Sequence, residues 1–142
     1  MSVVSTEPET PADQHTDRWI EPLLLPAGLL ISVLATVVTA VAELYLTPLR
    51  LFGFPLGLAV VFAGLVNWGL GWFAVTTTGR RWALAVPWGL WTLLMLFAAG
   101  VRTREGDYLL SGNDWVGLVM ILVGSLSFAV YAYRLILAPP KL

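Results

Sequence analysis

One charged residue interrupts the apolar run from Leu23 to Leu46, and it is Glu43. A carboxylate inside a membrane-length stretch is costly enough to be a functional candidate in its own right. Three roles are open to it. It can pair with Arg50, Arg102 or Arg104, which the pattern places at the same end of the molecule, it can take up a proton or cation, or it can bind another subunit. At 100° per residue, Gly28, Ser32, Ala35, Thr36, Thr39 and Glu43 share a wedge about 100° wide, and Leu34, Val37, Val41 and Leu44 lie opposite. Small and hydroxyl side chains let helices approach one another in lipid. The stripe is therefore expected to face a helix bundle and to carry Glu43 inward.

A second constellation pairs NWGLGW, residues 67 to 72, with PWGLW, residues 87 to 91. Asn67 needs hydrogen-bond partners in hydrocarbon, and an indole N–H is a suitable donor. Asn67, Trp68, Trp88 and Trp91 then line either a tight helix contact with one polar lock, or an aromatic pocket for a lipid, a quinone or an organic cation. Gly69, Gly71 and Gly89 leave room beside the rings. Further on, Gly117, Gly124 and Tyr131 recur every seven residues, a close-packing face open to self-association.

The third is VRTREGDYLLSGNDW, residues 101 to 115, which gathers Arg102, Arg104, Glu105, Asp107 and Asp114. These five are expected to form an ordered external cap that is first of all structural, with a partner loop and a ligand site as the alternatives. Glu105-Gly106-Asp107 and Ser111 to Asp114 are turn chemistry, since Gly permits positive φ and Asn and Asp bond their own backbone. Asn113 or Asp114 suits the cap of a following helix, and Tyr108 to Leu110 suits the membrane interface. Three acids at this spacing are too few for a calcium loop. The chain has no cysteine and a lone His15, so no disulfide, metal or cofactor is expected. A net charge of -1 points away from nucleic acid.

The elements that must position these residues are legible from composition. Of the 142 residues, 58% are hydrophobic and only 12% charged, about half the charge of a soluble domain. Four stretches, about 23–46, 54–77, 82–101 and 115–137, reach the roughly 20 apolar residues needed to cross a bilayer. The expected fold is all-α: a polytopic membrane protein, with four transmembrane helices in an antiparallel bundle joined by short loops. Residues 19–138 make up this domain. Residues 1–18, acidic and without Leu, Ile or aromatics, are expected to be a disordered tail, and 139–142 a short C-terminal tail. The acidic start followed by a full-length span does not read as a secretory signal. Pro48 and Pro55 break the first connection, Gly79 caps the second helix, and Pro87 is expected to kink the third. Arg18, Arg80, Arg81, Arg134 and Lys141 fall on one side, and Arg50, Arg102 and Arg104 on the other. That bias places both termini in the cytoplasm, with the protein in the plasma (inner) membrane.

In two respects the pattern resembles known families. Four spans with a carboxylate in the first are similar in architecture to the small multidrug transporters, although theirs lies deep in the membrane and Glu43 comes late in its span. Over residues 23 to 137, Asn67, TGRR at 78 to 81, Pro87, EGD at 105 to 107, Gly112, Gly117 and Gly124 resemble an actinobacterial family of small four-span membrane proteins that carry a domain of unknown function. That resemblance implies the four-span fold and brings no activity, substrate or catalytic residue with it.

Three functions follow as expectations. Small size, short loops and no complete catalytic set point first to a non-enzymatic accessory or assembly subunit of a larger membrane complex. Its partners would be the lipid bilayer and other integral membrane subunits, or a second copy of itself. The alternative is a small homodimeric transporter or channel with Glu43 as an ion- or proton-coupled carboxylate. An intramembrane enzyme ranks last, because no span holds His, Asp or Cys.

Overall fold

The computed structural model describes residues 11–51, 54–55, 57–102, 106, 110 and 115–138. The long first helix, α1, runs Pro11–Leu46, 36 residues. Its membrane-length part is Pro22–Leu46. Residues 11–18, expected as part of a disordered tail, are the start of this helix, and residues 1–10 lie outside the described set. Proline suits the first helical position because its missing N–H needs no partner there.

After α1 the chain turns through a two-residue antiparallel ladder, β1 (Arg50–Leu51) with β2 (Phe54–Pro55). The second helix, α2, therefore starts at Leu58 and ends at Thr78, not at Phe54 as the apolar pattern suggests. Gly79 caps α2 with φ 64°, its N–H donating to the Val75 carbonyl. A left-handed residue there costs least when it is glycine. Arg81–Leu84 forms a single 3₁₀ turn and leads into α3, Ala85–Gly100. Pro87 falls in the first turn of α3, where the N–H it lacks would have no intrahelical partner. The kink expected at Pro87 thus falls next to the start of α3, where the 3₁₀ turn gives way to α-helix. The last helix, α4, is Trp115–Leu137.

Four helices, Pro22–Leu46, Leu58–Thr78, Arg81–Gly100 and Trp115–Leu137, are long and apolar enough to cross a membrane. α2 packs along both α1 and α4, and α1 also packs along α3. Trp91 against Phe128 then joins α3 to α4. Around the bundle the order is α1, α2, α4, α3. The interior is built mainly of small side chains, among them Ala40, Ala59, Ala63, Ala74 and Ala98, with Trp91, Phe128, Met95 and Met120 filling the centre. Large aliphatics such as Leu34, Leu65, Leu93 and Leu122 point outward. This arrangement suits a bundle whose solvent is acyl chain, where small residues bring backbones together.

Gly117 and Gly124 are buried within this packing. The face read as open to self-association is thus spent inside the bundle: Gly117 meets Leu110 and Thr47, and Gly124 meets Trp91 and Asn67.

Candidate functional site

The inward stripe of α1 places Ser32, Thr36 and Glu43 at 0% exposure and Thr47 at 4%. Spacings of three and four residues keep one helix face turned to the bundle. Two hydroxyls satisfy themselves locally: Thr36 Oγ1 donates to the Ser32 carbonyl at 2.7 Å, and Thr47 Oγ1 to the Glu43 carbonyl at 2.9 Å. Such bonds to the preceding turn let hydroxyls sit in an apolar helix.

Glu43 cannot solve its problem that way. It lies three residues before the end of α1 at Leu46, close to one membrane face. The last turn of a helix favours cations over anions, so a carboxylate there is doubly out of place. Side chains lean toward the N-terminus of their helix, and this carries the carboxyl group inward. Trp91, eleventh of the 20 residues Arg81–Gly100, donates its Nε1–H to Glu43 Oε2 at 2.7 Å. Glu43 Oε1 is buried with no hydrogen-bond partner. The sequence offered Arg50, Arg102 and Arg104 as partners. Arg102 is exposed, the side chain of Arg50 and the whole of Arg104 lie outside the described set, and the hydrogen bond Glu43 makes is to an indole.

Asn67 is also fully buried, and neither Oδ1 nor Nδ2 has a partner. The expected bond from a Trp N–H to Asn67 is not formed, because that donor is held by the stronger acceptor, the carboxylate. Ser32 Oγ is unpartnered as well. These atoms share one region. Gly28 abuts Thr77 where α1 and α2 run antiparallel, so ten residues along each helix Asn67 stands level with Val38, between Thr36 and Glu43. A Cβ on Gly124 would lie 2.5 Å from the Trp91 ring and 2.7 Å from Asn67 Nδ2. The bare backbone of α4 thus closes the site from the fourth side.

The other indoles go elsewhere. Trp68 meets Tyr131 edge-on at 5.1 Å, and the Arg134 guanidinium carbon lies 5.2 Å from its ring centroid. Trp88 is exposed, facing outward from α3. Trp68, Trp88 and Trp91 therefore do not line one aromatic pocket. The Arg134 contact was not anticipated; the signal for it was Tyr131 and Arg134 at i and i+3 on one helix face.

In the external loop, Gly106 has φ 89°, in keeping with turn chemistry there. Leu110, expected at the membrane interface, is buried within the protein against Gly117. Arg104, Glu105, Asp107 and Asp114 lie outside the described residues. Among the described residues no three of His, Cys, Asp and Glu converge as metal ligands would.

Taken together, the site is one carboxyl group held by an indole N–H, with the neutral Asn67 amide of α2 and the hydroxyls of α1 ranged below it. An arrangement of one acid and neutral partners can bind and release a single positive charge. Comparison with family models, with curated proteins and with solved structures found no match for this chain.

Proposed function

We propose that this chain is a non-enzymatic, multi-pass membrane protein that binds and moves a proton or small cation at Glu43, acting as a small transporter or channel. The observation that carries this reading is the sealed carboxyl group: Glu43 is 0% exposed, bonded through one oxygen to Trp91, with the other oxygen unpartnered. Unpaired polar atoms are rare at membrane depth because nothing in lipid can serve them, and intramembrane acids concentrate on ion and proton pathways. The plasma (inner) membrane, with both termini in the cytoplasm, is the placement that the distribution of arginines supports.

The test is flux into vesicles. Purified protein reconstituted with a pH-sensitive dye inside is expected to pass protons or exchange them for a cation. That activity should be lost in Glu43→Gln and retained in Glu43→Asp. Wild-type behaviour in both variants would remove the basis of the reading. The accessory-subunit reading draws on small size, short loops and the lack of a complete catalytic set. It would be favoured instead if mild extraction from native membrane yields a stoichiometric larger complex.

A further inference from the structure

Glu43 lies near one membrane face by its place in α1, yet the described residues next to it on that side are largely apolar. Thr47, one turn further on, is buried, its hydroxyl also reaches Met120 Sδ at 3.5 Å, and it shares with Leu110 the space beside Gly117. Among the described residues, Leu110, Met120 and the buried Gly117 make this side, the lid side, apolar apart from the Thr47 hydroxyl, which is already donated to the Glu43 carbonyl at 2.9 Å.

In the opposite direction the interior stays polar. Below Glu43 come Asn67 and Thr36, then Ser32, all fully buried. One turn below Ser32, Gly28 would bring a Cβ within 2.9 Å of Thr77 Oγ1. Thr77 belongs to a groove of about 670 Å³ that opens between the start of the α1 span and the end of α2, with Pro22, Leu24 and Leu25 on one wall and Thr76 to Thr78 and Arg80 on the other. This is the arginine end of the bundle, where Arg81 Nη2 donates to the Ala138 carbonyl. Among the described residues, the unpartnered atoms of the interior, Glu43 Oε1, both ends of the Asn67 amide and Ser32 Oγ, lie on this line.

We propose that Glu43 exchanges protons with the arginine end of the bundle, through Asn67, Thr36 and Ser32, and not with the membrane face to which it lies nearer. The inference rests on the proposed function and gives it a substrate and a direction. A proton suits the column better than a metal cation, because its polar atoms are strung over several turns. Successive turns are about 6 Å apart, longer than one hydrogen bond, and single waters bridge such gaps. A proton arriving along this line adds to Glu43 Oε1 and neutralises the carboxylate. On release it leaves by the same line, and the Asn67 amide and the hydroxyls orient the bridging waters without carrying net charge. No other charged group faces Glu43 from the helices around it: α2 and α3 contain none, and in α4 the one charge is Arg134, at the far end. From α3 Glu43 receives Trp91, and on the lid side Thr47 bonds its backbone carbonyl and reaches Met120; of the charged side chains in the connections on that side, only that of the exposed Arg102 is described.

The test uses full-length protein in vesicles in one orientation, established by protease access to a C-terminal tag. The infrared carbonyl band of the Glu43 carboxyl group, assigned by its loss in Glu43→Gln, is followed after a pH step on either side. The band is expected to respond promptly to a step at the arginine end and slowly to one at the lid end. Thr36→Val keeps the side-chain shape and should slow the response about tenfold, roughly one hydrogen bond lost along the path. Ser32→Ala, which adds no bulk, should act in the same direction, and Thr47→Val should leave the rate unchanged. A faster response from the lid end overturns the proposal, as does a rate sensitive to Thr47→Val and indifferent to Thr36→Val and Ser32→Ala. A carboxyl band that answers to neither side defeats the proposed function itself, and the two failures are thereby told apart.

Discussion

Two charged side chains in this bundle reach back to an indole, and they end in opposite surroundings. Glu43 stands three residues before the end of α1 at Leu46, and Arg134 three before the end of α4 at Leu137. Both lean toward the N-terminus of their helix, into the bilayer. Glu43 takes the ring-edge N–H of Trp91 at 2.7 Å, and Arg134 lies over the face of Trp68 at 5.2 Å. Edge for the anion and face for the cation is what the charge distribution of an aromatic ring demands. Glu43 is nevertheless fully buried, whereas Arg134 is exposed. The long arginine stem lets its charge reach water, and its helix end suits a cation. A glutamate has neither advantage. The comparison separates a surface anchor from an internal site that must be served by protein groups.

The comparison can be broken hardest at Gly124. Gly124→Val forces atoms into the Trp91 ring and Asn67, and an expected loss of about 3 kcal/mol or more should show as a large fall in melting temperature in detergent. A variant that melts like wild type would mean that α4 does not close the site. Next comes Trp91→Phe, which keeps the ring and removes the donor. Leaving the carboxyl group without its bond should cost about 1–3 kcal/mol, measured by unfolding in mixed micelles. Arg134→Gln should cost about 1 kcal/mol or less by the same assay, as for an exposed cation over a ring. Equal losses in these two variants would erase the distinction between site and anchor. The smallest effect on stability belongs to Glu43→Gln. Its amide oxygen still accepts from Trp91 and no charge is buried, so its melting temperature should match or exceed wild type while flux is lost. A steep fall in stability would mark Glu43 as structural.

Amino-acid order alone determined the four spans, their inward faces and the polar residues carried on them. These are matters of local length and period: a run of about 20 apolar residues can satisfy its backbone in lipid only as a helix, and a 3.6-residue repeat sets Gly28, Ser32, Thr36 and Glu43 on one side. The Gly79 cap was legible for the same reason, since a left-handed residue at a helix end selects glycine. The start of α1 at Pro11 and of α2 at Leu58 was not, because hydropathy marks membrane depth and not where a helix begins.

Tertiary structure decided which polar group meets which. Trp91 had two acceptors within the sequence's reach, Asn67 and a carboxylate read as the partner of arginines, and helix order chose between them. By setting α3 against α1, the fold gave the indole N–H to Glu43 and left the Asn67 amide to the interior column. It also turned Gly117 and Gly124 inward, and brought Leu110 and Thr47 together beside Gly117. Nothing in residue spacing encodes those outcomes. They depend on the distance and rotation between helices, which side-chain packing across the whole bundle fixes at once.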